Sequence, residues 1–129
     1  LHKEYRRQRQ MCIRDRITGD KDLILQNSNK IEITEHLFDK DALIFSNVKS
    51  NYVILNEKKA GKHIRFTFGD SPFLAIWAKP AAPFVCMEPW YGVNDSYEKA
   101  TDFSKKRGIQ KLSSGKEFEF SWSAEFKED

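Results

Sequence analysis

Cysteine is scarce in this chain, with two residues, Cys12 and Cys86, in 129. Two are too few for a disulfide framework, so a reducing, cytoplasmic setting is expected. Neither cysteine sits in a C-x-x-C or other metal-ligand spacing, and no metal is expected. Long hydrophobic runs are also missing. Those present, such as Ala42-Leu43-Ile44-Phe45, fall far short of a membrane span. The first sixteen residues are charged and lack the apolar stretch of a signal peptide. A net basic charge is missing from most of the chain as well, although the whole carries +3. Lys3, Arg6, Arg7, Arg9, Arg14 and Arg16 stand against Glu4 and Asp15, so residues 1–16 carry the whole excess and the rest is slightly acidic. A nucleic-acid surface needs basic residues on the folded part, interleaved with aromatics. The folded part is close to neutral, so neither nucleic acid nor membrane is expected as a partner.

What is present is core material. Forty percent of the chain is hydrophobic and 13% aromatic, including ten Phe. That suffices for one domain and argues against wholesale disorder. Residues 1–16, LHKEYRRQRQMCIRDR, show neither helical nor strand periodicity and differ abruptly in style from residues 17–129. Met11 to Arg16 resembles a peptide found at the ends of many unrelated fragmentary reading frames, apparently translated sequencing adapter. The functional alternative is a basic arm for nucleic acid or acidic lipid. Residues 1–16 are therefore set aside as a non-native or disordered tail, with the domain expected over 17–129.

From Ile17 onward the pattern is mainly strands. Phe118, Phe120, Trp122, Ala124 and Phe126 alternate with Glu117, Glu119, Ser121, Ser123 and Glu125, which predicts a half-buried antiparallel strand. His63 to Phe68 alternates too, with Ile64, Phe66 and Phe68 facing one way. Phe73–Ala78 and Phe84–Glu88 are short apolar runs. Between them Lys79-Pro80-Ala81-Ala82-Pro83 carries two prolines and reads as a loop. Ala42–Phe45 and Tyr52–Leu55 are further strands; Leu23–Leu25 and Ile31–Ile33 are weaker ones. Tyr97–Arg107 has room for a helical turn or two, capped by Gly108. Many short strands with regular turn signals predict an all-β sandwich or barrel.

Residues 73–96, FLAIWAKPAAPFVCMEPWYGVNDS, resemble the signature of the LacX-like branch of the aldose 1-epimerase (galactose mutarotase-like) superfamily. That branch shows W-x-K-P-G-A-P-F, then E-P-W-Y-G and an Asp. Residues 37–45, LFDKDALIF, and 105–123, KKRGIQKLSSGKEFEFSWS, resemble further family stretches at suitable distances. Ala81 stands where the branch usually has Gly, and Val93-Asn94 where Ile-Ala is commoner. The resemblance implies a fragment, the C-terminal half, of a large antiparallel β-supersandwich. It implies an isomerase that interconverts the α and β anomers of a hexose or related sugar without cofactor or metal. A Glu takes the C1 hydroxyl proton, a His protonates the ring oxygen, and the ring opens and recloses. The acid His and a sugar-binding His belong to the N-terminal half, so the chain's missing partner would be the rest of its own domain. His36 and His63 lie in no matching motif and are expected at the surface.

Glu88 matches the family's base. Read from its neighbours alone, it ends an apolar run in phase with Phe84 and Cys86, where partial desolvation would raise its pKa. Pro89 should end the strand there. The plainer reading is a salt-bridged Glu at a strand terminus. Asp41 matches the family's Asp that binds sugar hydroxyls, but Asp39-Lys40-Asp41 also reads as a solvated turn. Trp90 and Tyr91 could stack on a sugar face, or serve as core or rim packing. Trp77 reads as core, and Asn94 and Asp95 as turn residues. If Glu88 is the base, it should face a concavity with Trp90 at its edge and Asp41 within about 10 Å, as in a convergent polar site. A non-catalytic carbohydrate-binding β-sandwich is the alternative; it would use Trp90 and Tyr91 without needing Glu88.

Overall fold

The computed structural model describes residues 16–17, 29–57, 60–96 and 102–128. These residues are all-β apart from one short 3-10 helix. The strands are β1 (Arg16–Ile17), β2 (Leu43–Ser46), β3 (Tyr52–Asn56), β4 (Lys62–Thr67), β5 (Phe73–Trp77), β6 (Cys86–Trp90), β7 (Asp95–Ser96) and β8 (Ser123–Glu128). The chain forms two compact units. In the first, residues 1–31 with 92–109, β1 pairs with β7 in parallel, Val93 is buried, and Phe103–Lys105 is the 3-10 helix. Asp102 caps that helix by accepting the Ser104 amide at 3.0 Å, and Gly108 follows with φ +75°.

The second unit, residues 32–91 with 110–129, holds two antiparallel sheets, ordered β2-β5-β6 and β3-β4-β8. Register explains how they pack. Leu74 lies opposite Phe45 and Pro89, and Ile76 opposite Leu43 and Met87, so these side chains share a face. In the other sheet Val53, Phe66 and Ala124 line up across three strands. Phe66, Phe68 and Leu74 form the buried core, with Phe45, Val53, Ile76 and Met87 packed against them. Phe73 and Ala75 are also buried, so both faces of β5 are covered. That is why FLAIW reads as an unbroken apolar run rather than an alternation.

Several expectations shift. Strand β6 runs through Pro89 instead of stopping there. It is the edge of its sheet, and an edge strand tolerates a residue that cannot donate outward. The last strand begins at Ser123 rather than near Phe118, and Phe118, Phe120, Trp122 and Phe126 are exposed, not half-buried. Strand β4 offers β8 a partner of six residues, Lys62 to Thr67, and β8 matches that length. Ile31–Ile33 is not a strand, and Asp95, expected in a turn, lies in β7. Arg16, the last residue of the expected tail, pairs with Asp95. The Leu23–Leu25 strand, the rest of the tail and residues 97–101 of the expected helix lie outside the described residues.

The loop at 79–83 contains a turn in which the Ala82 amide donates to the Lys79 carbonyl at 3.0 Å. Pro80 occupies its second position and Ala81, with φ +61°, its third. This is the pattern of a type II turn, whose third residue favours Gly. A side chain in that conformation costs about 1 kcal/mol, partly offset because Gly has more freedom to lose on folding. Ala81→Gly should therefore stabilise the fold by roughly 0.5 kcal/mol, read as a higher midpoint in urea at unchanged slope. An unchanged or lower midpoint would contradict the assigned turn.

Candidate functional site

Glu88 stands in the middle of β6, opposite Ala75 of β5. Its alternation puts it on the face of Cys86 and Trp90, away from the core face of Met87 and Pro89. There the Trp90 indole Nε1–H donates to Glu88 Oε2 at 2.9 Å. Both side chains are half-buried. Two residues apart on one strand, they are neighbours on the same face, and the spacing in E-P-W is what brings them together.

Cys86 is the next residue on this face, opposite Trp77. Burial, and secondarily the negative charge of Glu88, push its thiol above the ordinary cysteine range. Cys86 is free. In a Cys12→Ser background its reaction with a thiol reagent at pH 8 should be slower than that of an unfolded cysteine, because the thiolate is the nucleophile. Glu88→Gln should speed it by removing the neighbouring charge. Equal rates with and without the Glu88 charge would mean the two side chains do not share a face.

Tyr91 goes elsewhere. Its hydroxyl donates to Asp70 Oδ1, and that bond, more than burial or the Asp70 charge, holds the phenol above its usual range. Its ring meets Phe118 edge-on at 5.0 Å and Phe120 at 5.3 Å. So the two aromatics expected to share a sugar face have different partners. Asp41 precedes β2, on the far side of β5 from β6, and its Oδ1 accepts the Ala42 amide at 2.8 Å. Thus Glu88 and Trp90 are brought together by a hydrogen bond, while the bond of Asp41 is to the Ala42 amide and that of Tyr91 is to Asp70. Trp77 is half-buried and packs on Phe84 at 6.2 Å. His36 is exposed and bonded to Asp39 at 2.9 Å, whereas His63 is half-buried in β4.

An open concavity of about 400 Å³ lies at the mouth between the sheets. It is lined by Ile64 and Phe66 of β4, Ala124 and Phe126 of β8, Trp122, and Met87, Glu88 and Pro89 of β6. Trp90, Tyr91 and Asp41 are not among these residues, so the arrangement expected around Glu88 is not the one this hollow presents. Its lining is apolar apart from Glu88.

One residue escaped the sequence reading. The Ser71 hydroxyl is buried and sits 2.8 Å from the carbonyl oxygens of both Phe73 and Trp90. With Asp70 holding Tyr91, the turn Gly69-Asp70-Ser71 grips the end of β6 where Glu88 and Trp90 stand. The signal was there, in a Gly-Asp-Ser-Pro turn, but such a turn reads only as a chain reversal until its partner is known. Among the described residues, no group of three or more His, Cys, Asp or Glu side chains is placed to hold a metal. Nor is any helix there long and apolar enough to cross a membrane.

No family model matches the chain. It is 32% identical over 94 residues to two curated proteins of Lactococcus lactis subsp. lactis, the plasmid and chromosomal forms of Protein LacX. The match takes in 72% of this chain and 31% of each relative. Among solved structures it is similar to a galactose mutarotase related enzyme from Lactobacillus acidophilus, at 34% identity and a TM-score of 0.68. That likeness covers 75% of this chain and 33% of the enzyme. The chain therefore spans about a third of the length of the relatives it matches. The chain is thus similar in sequence to the LacX proteins, and in sequence and fold to the galactose mutarotase related enzyme.

Proposed function

We propose that a LacX-length protein containing this chain interconverts the α and β anomers of a hexose or related aldose, with Glu88 as the base. The observation that supports this reading best is the 2.9 Å hydrogen bond from Trp90 Nε1 to Glu88 Oε2. A general base works from a fixed position. The indole anchors one carboxylate oxygen and so sets the direction in which the other faces the C1 hydroxyl. Glu88 takes that proton as the C1 carbonyl forms, while an acid histidine from outside this chain protonates the ring oxygen. The C1–O5 bond breaks, C1 turns, and the steps reverse on its other face. No electrons leave the sugar and no group is transferred, so the chemistry calls for neither cofactor nor metal. Asp41 is assigned to sugar hydroxyls, and Trp90 and Tyr91 to the rim of the sugar site. The reaction belongs to sugar metabolism in the cytoplasm.

Polarimetry on the LacX-length protein tests this. Glu88→Gln should slow anomer interconversion by ~10²–10⁴-fold with sugar binding retained. Trp90→Phe, which keeps an aromatic ring but removes the indole donor, should cost less, on the order of tenfold, because it only loosens the base. A variant lacking the Glu88 carboxylate with full activity would remove the base assignment. The second reading, a carbohydrate-binding sandwich without catalysis, is favoured by one observation. Tyr91, Phe118 and Phe120 form an aromatic cluster at the surface beside Asp70. Under that reading Glu88→Gln changes nothing and Tyr91→Ala abolishes sugar binding.

A further inference from the structure

Ser71 is the one buried polar residue among those described, and it stands at a fixed point of the chain. Its amide donates to the carbonyl of Phe68, a core residue, at 3.2 Å. Pro72 follows and restricts its backbone. From there its hydroxyl lies 2.8 Å from the carbonyl oxygens of both Phe73 and Trp90. The Phe73 contact is local and closes the turn. The Trp90 contact spans nineteen residues and ties the start of β5 to the end of β6. Trp90 is where such a tie acts. It is the last residue of β6, and its pair with Phe73 is the last of the ladder with β5. Ladder ends open more readily than ladder middles. Pro89, just before it, has no N–H to add to the ladder. The indole whose Nε1–H holds Glu88 Oε2 at 2.9 Å is carried on this backbone.

We propose that Ser71 is a positioning residue for Glu88. It fixes the main chain of Trp90, the main chain fixes the indole, and the indole fixes the carboxylate. The inference rests on Glu88 as the base, and it gives Ser71 a part in the reaction without contact with the sugar. A carboxylate whose anchor swings spends less of its time aimed at the C1 hydroxyl, and misplacement of a reacting group slows the chemical step more than it weakens binding. Ser71, Trp90 and Glu88 all lie in the same compact unit, so each link is made within it.

The test reads the indole N–H signals of the 129-residue chain by NMR with isotope-labelled tryptophan. Trp90→Phe identifies which of the three indole signals belongs to Trp90. Glu88→Ala shows where that signal lies once its acceptor is gone. Ser71→Ala should move it most of the way toward the Glu88→Ala position and speed its exchange with solvent about fivefold. Gly115→Ala, a backbone change elsewhere, should leave it in place, which separates positioning from a general loss of stability. If Ser71→Ala fails to fold, Ser71→Cys, of similar size but a weaker donor, should move the signal in the same direction. In the LacX-length protein Ser71→Ala should lower kcat about fivefold with KM little changed, and should cost nothing further once Glu88 is replaced by Gln. An unmoved indole signal beside a slow Glu88→Gln variant would overturn this proposal alone. Full activity in Glu88→Gln beside a moved signal would overturn the base reading alone. A signal that moves as far in Gly115→Ala as in Ser71→Ala would also overturn the proposal, leaving Ser71 only to close its turn.

Discussion

Freshly dissolved α-glucose or α-galactose should mutarotate at its spontaneous rate in the presence of the 129-residue chain alone. The proposed mechanism needs two proton-transfer groups on opposite sides of the sugar, tuned to give and take at the same pH. Among the described residues, Glu88 is the one to which such a role is assigned. The histidines of the chain are His2, His36 and His63. His36 is exposed and bonded to Asp39, and His63 lies in β4, in the other sheet from Glu88. Neither is placed on β6 or its neighbours to reach a sugar held at Glu88. Omitting the acid forfeits typically ~10²–10⁴-fold, and omitting the sugar contacts made elsewhere in a LacX-length protein forfeits positioning as well. Polarimetry after adding the pure crystalline anomer measures this directly. Rotation that decays clearly faster than in buffer would mean that a complete acid–base pair lies within these residues, and the assignment of roles would have to be rebuilt from it.

How far the sequence reaches can be seen strand by strand. Strands β4 and β5 were legible because each has a local signature: alternation in His63 to Phe68, an apolar block between Pro72 and Lys79. The Glu88–Trp90 pair was legible in part, since residues two apart on a strand must share a face. Three things were not. Pro89 reads as a strand breaker, and only the sheet order reveals that β6 is an edge where proline is tolerated. The alternation from Phe118 to Phe126 reads as one strand with a buried face, yet pairing begins at Ser123, because strand length is set by the partner. Ser71 and Asp70 read as turn residues. Their grip on Trp90 and Tyr91, nineteen and twenty-one residues on, is a long-range fact that no local pattern records.

The same turn gives the largest stability effect expected in the chain. Gly69 has φ +61°, and a Cβ built on it would sit 2.9 Å from the carbonyl oxygen of Ser121. Gly69→Ala therefore incurs two costs. The left-handed backbone costs a residue with a Cβ about 1–2 kcal/mol. The close approach forces either the turn or the backbone at Ser121 to move, and that backbone is flanked by Phe120, packed on Tyr91, and Trp122, packed on Phe66 at 5.8 Å. Disturbing packed aromatics adds about 1–3 kcal/mol, the usual cost of overpacking. Reduced freedom in the unfolded chain returns about 0.4–1 kcal/mol. The balance is a loss of roughly 2–4 kcal/mol, a large share of the stability of a domain this size. Gly115 provides the control. It too is left-handed, with φ +72°, but a Cβ there meets nothing within 4 Å, so Gly115→Ala should incur the backbone cost alone. Urea unfolding of the two variants beside the parent chain separates the terms. Gly69→Ala should fall below Gly115→Ala by about 1 kcal/mol or more, and near-ultraviolet dichroism should show the change in Trp122 and Tyr91 packing. Equal losses in the two variants would mean that the segment through Ser121 does not lie against this turn, and that the grip on β6 is made by Asp70 and Ser71 without it.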